Sequence, residues 1–265
     1  MNIIAPSLLY HDIIDSERFE DSGFNSPDAD IYKIKKEVFR KQLSLINDRF
    51  PLIETRLPDN LNLSEQNRHY LLFTFDDGGK SAITYTATLL EYFGWVGYFF
   101  ITTNKIGGDG FLSAEDIQEL HGRGHFIGSH SHTHPDNISV LSEPDILQEW
   151  ETSCLILRDI IGKDIIYASI PGGFYSKKVE SLAARSGIQY LFTSEPIKTI
   201  KSGNSVHLIG RYAINRSTKN RSVVELASVK SNQHQIFQAL YWNLKKIFKL
   251  LLGEVYIKIR RIILK

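Results

Sequence analysis

The sequence predicts an α/β protein built on a mostly parallel sheet. Strand-like apolar runs occur at residues 71–75, 96–102, 125–129, 165–170, 189–193 and 206–212. Helix-like amphipathic runs lie between them at 81–92, 113–121, 144–161 and 177–186. Such regular alternation requires crossover connections, so the strands run parallel in a sheet that is open or closed into a barrel. Polar clusters also follow three of the strand-like runs, which is where parallel α/β folds gather their chemistry.

Each element has a local reason. Residues 12–32 are acidic and irregular (Asp12, Asp15, Glu17, Glu20, Asp21, Asp28, Asp30, with Gly23 and Pro27) and read as a long surface loop near a substrate entrance. Residues 31–50 carry Ile34, Val38, Leu43 and Ile46 at helical spacing. Ser113 followed by Glu115 and Asp116 reads as a helix cap with first-turn acids, and Gly122 and Gly124 as its stop. Ser176 starts another helix and Gly187 closes it. Residues 1–235 form the main domain, and 236–265 a basic helical tail.

Composition sets bounds. The 265 residues are 42% hydrophobic and 23% charged, ordinary for one large globular domain. A net charge of +1 gives no global drive toward nucleic acid. The single cysteine, Cys154, excludes an internal disulfide and reads as a small buried hydrophobe. The N-terminus lacks the basic start and apolar run of a signal peptide, and no window reaches the roughly 20 apolar residues of a membrane span. The expectation is a cytoplasmic protein.

The chemistry concentrates at the strand ends. The run 71–75 stops at Asp76-Asp77-Gly78-Gly79. Two adjacent carboxylates are costly to place together unless a cation or a proton transfer uses them. The run 125–129 stops at His130-Ser131-His132-Thr133-His134. Three imidazoles in five residues suit a divalent metal, with an aspartate completing the set, whether the segment is one helical turn or extended. A third run leads to Pro171-Gly172-Gly173, with Tyr175 beyond it, and the N-terminal run ends at His11.

These residues resemble the polysaccharide deacetylases, the NodB-like carbohydrate esterases, over about residues 3–215. Thr74-Phe75-Asp76-Asp77-Gly78 is similar to the family's first motif and His130-Ser131-His132-Thr133-His134-Pro135 to its second, about 50 residues apart. The resemblance implies Asp76 as general base, Asp77, His130 and His134 as ligands of a divalent metal, and His132 as a bystander. Leu9-Tyr10-His11 is similar to the motif that supplies the catalytic acid, placed at the N-terminus as in a circularly permuted, exopolysaccharide-deacetylating branch. The implied fold is a distorted (β/α) barrel of about seven strands. The implied metal is Zn²⁺, with Co²⁺, Ni²⁺ or another divalent ion as alternatives. The implied activity is removal of N-acetyl groups from a saccharide or lipid-linked saccharide, in exopolysaccharide or surface-glycan synthesis.

There are two departures. The third motif normally carries an arginine that orients the base, and here Ser169 stands in its place. Arg211 is the candidate replacement. The fourth motif, with its Asp and Trp, is absent. Pro171, Gly172, Gly173 and Tyr175 are candidates for substrate and oxyanion contacts. The alternative readings are a non-catalytic glycan- or membrane-binding relative, or a hydrolase of a different acyl substrate. Residues 241–265, with seven Lys or Arg against Glu254, read as a helix packed on the barrel or lying on anionic lipid.

Overall fold

The computed structural model describes residues 3–15, 18–57, 68–203 and 206–252. Its centre is one curled sheet. In chain order its strands are β1 (Ser7–Tyr10), β2 (Leu72–Phe75), β3 (Gly97–Ile101), β4 (Phe126–Ser129), β5 (Tyr167–Ser169), β6 (Tyr190–Phe192), β7 (Lys201–Ser202), β8 (His207–Ile209) and β9 (Tyr212–Ala213). In space they run β7-β8-β6-β5-β4-β3-β2-β1-β9, all parallel except the edge strand β7. Beyond the two ends, Ala5 donates its amide to Lys198 and Ile200 to Ile3, so the curl nearly closes. This is the mostly parallel α/β half-barrel that the βα alternation predicts.

Continuous apolar runs make these strands because both faces of the sheet are covered. All residues of β1, β2 and β3 are buried. Along β3 the side chains alternate between two cores. Tyr98 and Phe100 pack with Leu72, Phe192 and Ile209 on the inside of the curl. Phe99 and Ile101 pack with Phe39, Leu120 and Leu157 from the helices outside. Those helices include α1 (Lys36–Arg49), α2 (Ala87–Glu91), α3 (Ala114–Gly122) and α4 (Glu143–Ile161). The capping box at Ser113 and Asp116 is present, and α4 starts on Ser142 with Pro144 in its first turn and stops at left-handed Gly162.

Some expectations change. The run at 206–212 is two strands. β8 pairs with β6, but β9 pairs with β1, so Gly210-Arg211 carries the chain across the seam of the curled sheet. The helix expected over 31–50 begins only at Lys36, because Ile34–Lys35 pairs with Ile13–Ile14 in a small parallel ribbon. The segment 12–32 is therefore not simply a surface loop. Asp12 within it is buried and accepts hydrogen bonds from Ser22 Oγ (2.5 Å) and Ser81 Oγ (2.9 Å). The helix expected over 81–92 opens as a π-helical turn, Ala82–Thr86, before α2.

Two more helices follow α5 (Lys177–Arg185), namely α6 (Asn220–Leu226) and α7 (Gln233–Leu252). The helical tail thus starts at Gln233, ahead of the expected 236. The part of that expectation covering 253–265 lies outside the described residues.

Candidate active site and metal centre

Parallel strands end together, and the ends of β1, β2, β4 and β5 carry the site. Asp76 follows β2, and its amide donates to the carbonyl of Tyr10 (3.1 Å). That bond extends the β1–β2 register, in which Tyr10 faces Phe75, and brings His11 alongside the two aspartates. Asp77 turns the chain with φ 77°, a left-handed conformation that costs a non-glycine residue about 1–3 kcal/mol. Gly78 continues the turn at φ 83°, where a Cβ would press on Ile101. Such strain is tolerated where the turn must aim a functional group.

Asp76 is buried and fully engaged. Arg211 grips it with two parallel bonds, Nη1 to Oδ1 at 2.7 Å and Nη2 to Oδ2 at 2.9 Å. Ser169 Oγ also donates to Oδ2 (3.1 Å) and accepts from Arg211 Nη2 (2.7 Å). Arg211 is held in turn by its Nε donating to the Thr193 carbonyl (3.0 Å), and its guanidinium lies 5.6 Å from the ring of Phe100. Burial presses the Asp76 pKa upward, but the Arg211 charge, with His130, outweighs it and holds the carboxyl below the usual range.

Asp77, His130 and His134 offer one donor atom each, all within 4.8 Å of one another. Nε2 of His130 lies 3.4 Å from Asp77 Oδ1, and Nε2 of His134 lies 3.6 Å from it. A tetrahedral ion with bonds of about 2.0–2.2 Å sets neighbouring donors roughly 3.3–3.6 Å apart. The two aspartate–imidazole separations fit such an ion, and the third donor pair lies within 4.8 Å. His130 is oriented for this, since Nδ1 lies 3.0 Å from the Ser169 carbonyl and donates there, leaving Nε2 free to ligate. Burial alone would lower the His130 pKa, but the charges of Asp76 and Asp77 reverse this and raise it. Burial lowers that of His134, only partly offset by Asp77.

The loop carrying the histidines is neither the helical turn nor the extended strand that their spacing allowed. Ser131 and His134 both have positive φ, 64° and 57°. Glu149 on α4 holds this shape. One carboxylate oxygen accepts from the amides of His132 (2.9 Å) and Thr133 (2.8 Å), and the other from Thr133 Oγ1 (2.6 Å). Inside the loop the His134 amide donates to Ser131 Oγ (3.1 Å). His132 points elsewhere, with Nδ1 2.9 Å from Thr103 Oγ1.

His11 sits at the rim, its ring stacked on Tyr32 with centroids 4.6 Å apart. Its positive form would lower the pKa of Asp76 and Asp77, which reports its proximity to both. Its Nδ1 is buried without a hydrogen-bond partner among the described residues. Phe24 packs at 5.1 Å on His134. Pro171–Gly173 form a tight turn after β5 with Gly172 and Gly173 at φ 60° and 68°. The Tyr175 hydroxyl bonds to Glu180 on α5 and is committed there.

The structure thus brings together Asp76, Asp77, His130, His134, His11 and Arg211, and seats the 171–173 turn directly beyond Ser169. Sequence reasoning missed Glu149, Phe24, Tyr32 and the bonding role of Ser169. Glu149 carries no local signal, because its partners lie 16 and 17 residues away. Phe24 and Tyr32 were hidden in the segment taken for a loop.

Residues 64–191 match the polysaccharide deacetylase family. YxkH of Bacillus subtilis (strain 168) is 24% identical over 214 residues, covering 80% of this chain and 70% of that protein. In fold, the chain is similar to the Streptococcus pyogenes deacetylase PplD in complex with acetate (TM-score 0.72, 18% identity, 86% of this chain and 100% of that one). It is equally similar to BC0361, a polysaccharide deacetylase from Bacillus cereus (TM-score 0.72, 20% identity, 86% and 70%). The matched span holds Asp76, Asp77, His130, His134 and the 171–173 turn. His11 and Arg211 lie outside it and join the site only through the fold. The family match thus spans the central part of the chain, from ahead of β2 to β6, and the likeness to the solved deacetylases is one of fold.

Proposed function

We propose that this protein is a polysaccharide deacetylase, a metal-dependent hydrolase that removes N-acetyl groups from an amino-sugar-containing saccharide. The observation that carries the reading is the pairing of a buried, arginine-gripped carboxylate, Asp76, with an adjacent three-donor set, Asp77, His130 and His134. The solved relative PplD was captured with acetate, the product such a reaction releases.

Each residue has a role that its surroundings support. Asp77, His130 and His134 would hold the ion, Zn²⁺ being the best match to two imidazoles and one carboxylate. When bound, such an ion acidifies water and polarises an acyl carbonyl. Asp76 stays ionised because Arg211 stabilises its charge, so it can accept a proton from the attacking water. His11, on the rim beside both aspartates, would donate a proton to the departing amine. The turn at Gly172, where no side chain intervenes, lets the backbone approach the acyl oxygen closely. Arg211 supplies the cation that Ser169 cannot, which supports a working site over a degenerate one.

The test is acetate release from N-acetylated oligosaccharides by metal-loaded protein, with free amine counted in parallel. Equal yields of acetate and amine support the reading. Release of acetate from O-acetyl esters alone would replace the amide substrate with an ester.

A further inference from the structure

Helix α7 is inverted with respect to an ordinary surface helix. The side it turns to the protein carries Gln235, Gln238 and Trp242 rather than an apolar stripe. Gln235 is buried and donates through Nε2 to the carbonyls of Leu226 (3.3 Å) and Ser228 (2.7 Å). Gln238 Nε2 donates to the Ala213 carbonyl (3.2 Å). The side it turns away from the protein is apolar. Ile236, Phe237, Leu240, Tyr241 and Leu244, at spacings that share one helical face, are 55% to 71% exposed. Amphipathic helices normally bury the apolar face, so this stripe is made for an apolar surface outside the fold.

Charge identifies that surface. From Gln233 to the C-terminus there are seven Lys or Arg residues and one acid, Glu254. Before Gln233 there are 24 basic against 29 acidic residues. The chain concentrates its positive charge on the segment that carries the stripe. An apolar face with flanking lysines and an exposed tyrosine matches the boundary of an anionic bilayer. A second copy fits less well, since pairing through this face would bring two basic segments into one interface. Among the described residues no helix is long and apolar enough to cross a membrane, which suits a helix lying on the surface.

We infer that α7 docks this protein on anionic lipid, with Ile236, Phe237, Leu240, Tyr241 and Leu244 entering the boundary and the net positive charge of the sequence from Gln233 onward supplying the attraction. The docking has a consequence for the site. Trp242 lies against Gly173, where a Cβ would come within 3.1 Å of its ring. The docked helix therefore touches the turn that borders Ser169, so docking would hold the site close to substrate at the bilayer surface. That last step rests on the deacetylase reading; the docking does not.

The experiment is flotation of the full chain with vesicles of phosphatidylcholine alone and of phosphatidylcholine with phosphatidylglycerol. Two variants run beside it, Phe237→Ser/Leu240→Ser/Tyr241→Ser and Lys245→Glu/Lys246→Glu/Lys249→Glu. All substituted apolar groups are exposed, and unchanged circular dichroism and melting temperature confirm that the fold is kept. The expected result is salt-sensitive flotation only with the anionic vesicles, weakened about tenfold or more by either variant. No flotation of the wild-type chain, or flotation indifferent to both variants, overturns the inference. A dimer in light scattering that the serine variant dissociates, without flotation, assigns the stripe to a second copy instead. Flotation needs no substrate, so its failure leaves the proposed chemistry standing.

Discussion

Arg211 and Asp76, 135 residues apart, form a buried two-point ion pair with bonds of 2.7 and 2.9 Å. The pair exists because the chain crosses the seam of the sheet at Gly210-Arg211, between a strand bonded to β6 and one bonded to β1. The crossing sends the guanidinium inside the curl, against Phe100 and Phe192. A bidentate fork fixes the orientation of the carboxylate as well as its charge. It also makes Arg211 costly to remove, since a buried carboxylate left alone destabilises by about 3–5 kcal/mol.

Arg211→Lys keeps a positive charge but loses the planar fork. Its kcat should fall about 10²-fold or more with little change in metal content. The pH profile gives the sign. Arg211 lowers the Asp76 pKa, so weakening the pair raises it and moves the acid limb of kcat/KM to higher pH. An acid limb that stays in place would remove Arg211 from any orienting role.

The same pair predicts acid sensitivity of the fold. A folded-state pKa held below the ordinary 3.8 stabilises the native protein fully above that value. This contribution is lost as pH falls through the folded pKa. Denaturant midpoints measured across the acid range should decline more steeply for the wild type than for Asp76→Asn. Parallel declines would show that the pair contributes nothing to the pH dependence.

Glu149 offers a test of how the donor loop is held. It accepts three hydrogen bonds from residues between His130 and His134 and touches neither ligand through these bonds. Glu149→Ala should weaken metal affinity about 10–100-fold, the usual effect of losing a group that orients ligands. Glu149→Gln keeps one acceptor oxygen and should fall between. Competition with a chromophoric chelator reads the affinity directly. Equal affinity in all three proteins would mean that the strained loop holds itself.

His11→Ala separates proton donation from metal binding. His11 is not one of the three clustered donors, so metal content should be unchanged while kcat falls about 10²–10⁴-fold. The loss should be smaller for substrates with a better leaving group, because a good leaving group needs less help from an acid. A uniform loss across leaving groups would contradict the assignment.

Much of this protein is legible in its sequence, and the limits are physical. Buried parallel strands read as unbroken apolar runs, so β2, β3 and β4 and the residues at their tips stand out. Asp76, Asp77 and His130 follow directly. The pairing of Arg211 with Asp76 depends on which strands a broken apolar run joins, and periodicity does not carry that. The conformation of the 130–134 loop is set by Glu149 from a neighbouring helix, so neither helical nor extended spacing described it. The segment 12–32 looked like solvent-exposed loop because its charges are dense. Yet Asp12 is buried and accepts hydrogen bonds from the Ser22 and Ser81 hydroxyls, with burial raising its pKa, and Phe24 and Tyr32 reach the histidines.

The central claim is that Asp77, His130 and His134 hold the ion on which acyl hydrolysis depends. The most direct measurement is metal content and acetate release on one preparation each of wild type and Asp77→Ala. The account predicts about one divalent ion per wild-type chain with acetate freed from an N-acetylated saccharide, and loss of both in the variant. A variant that keeps its metal, or keeps releasing acetate without it, would contradict the assignment of this centre.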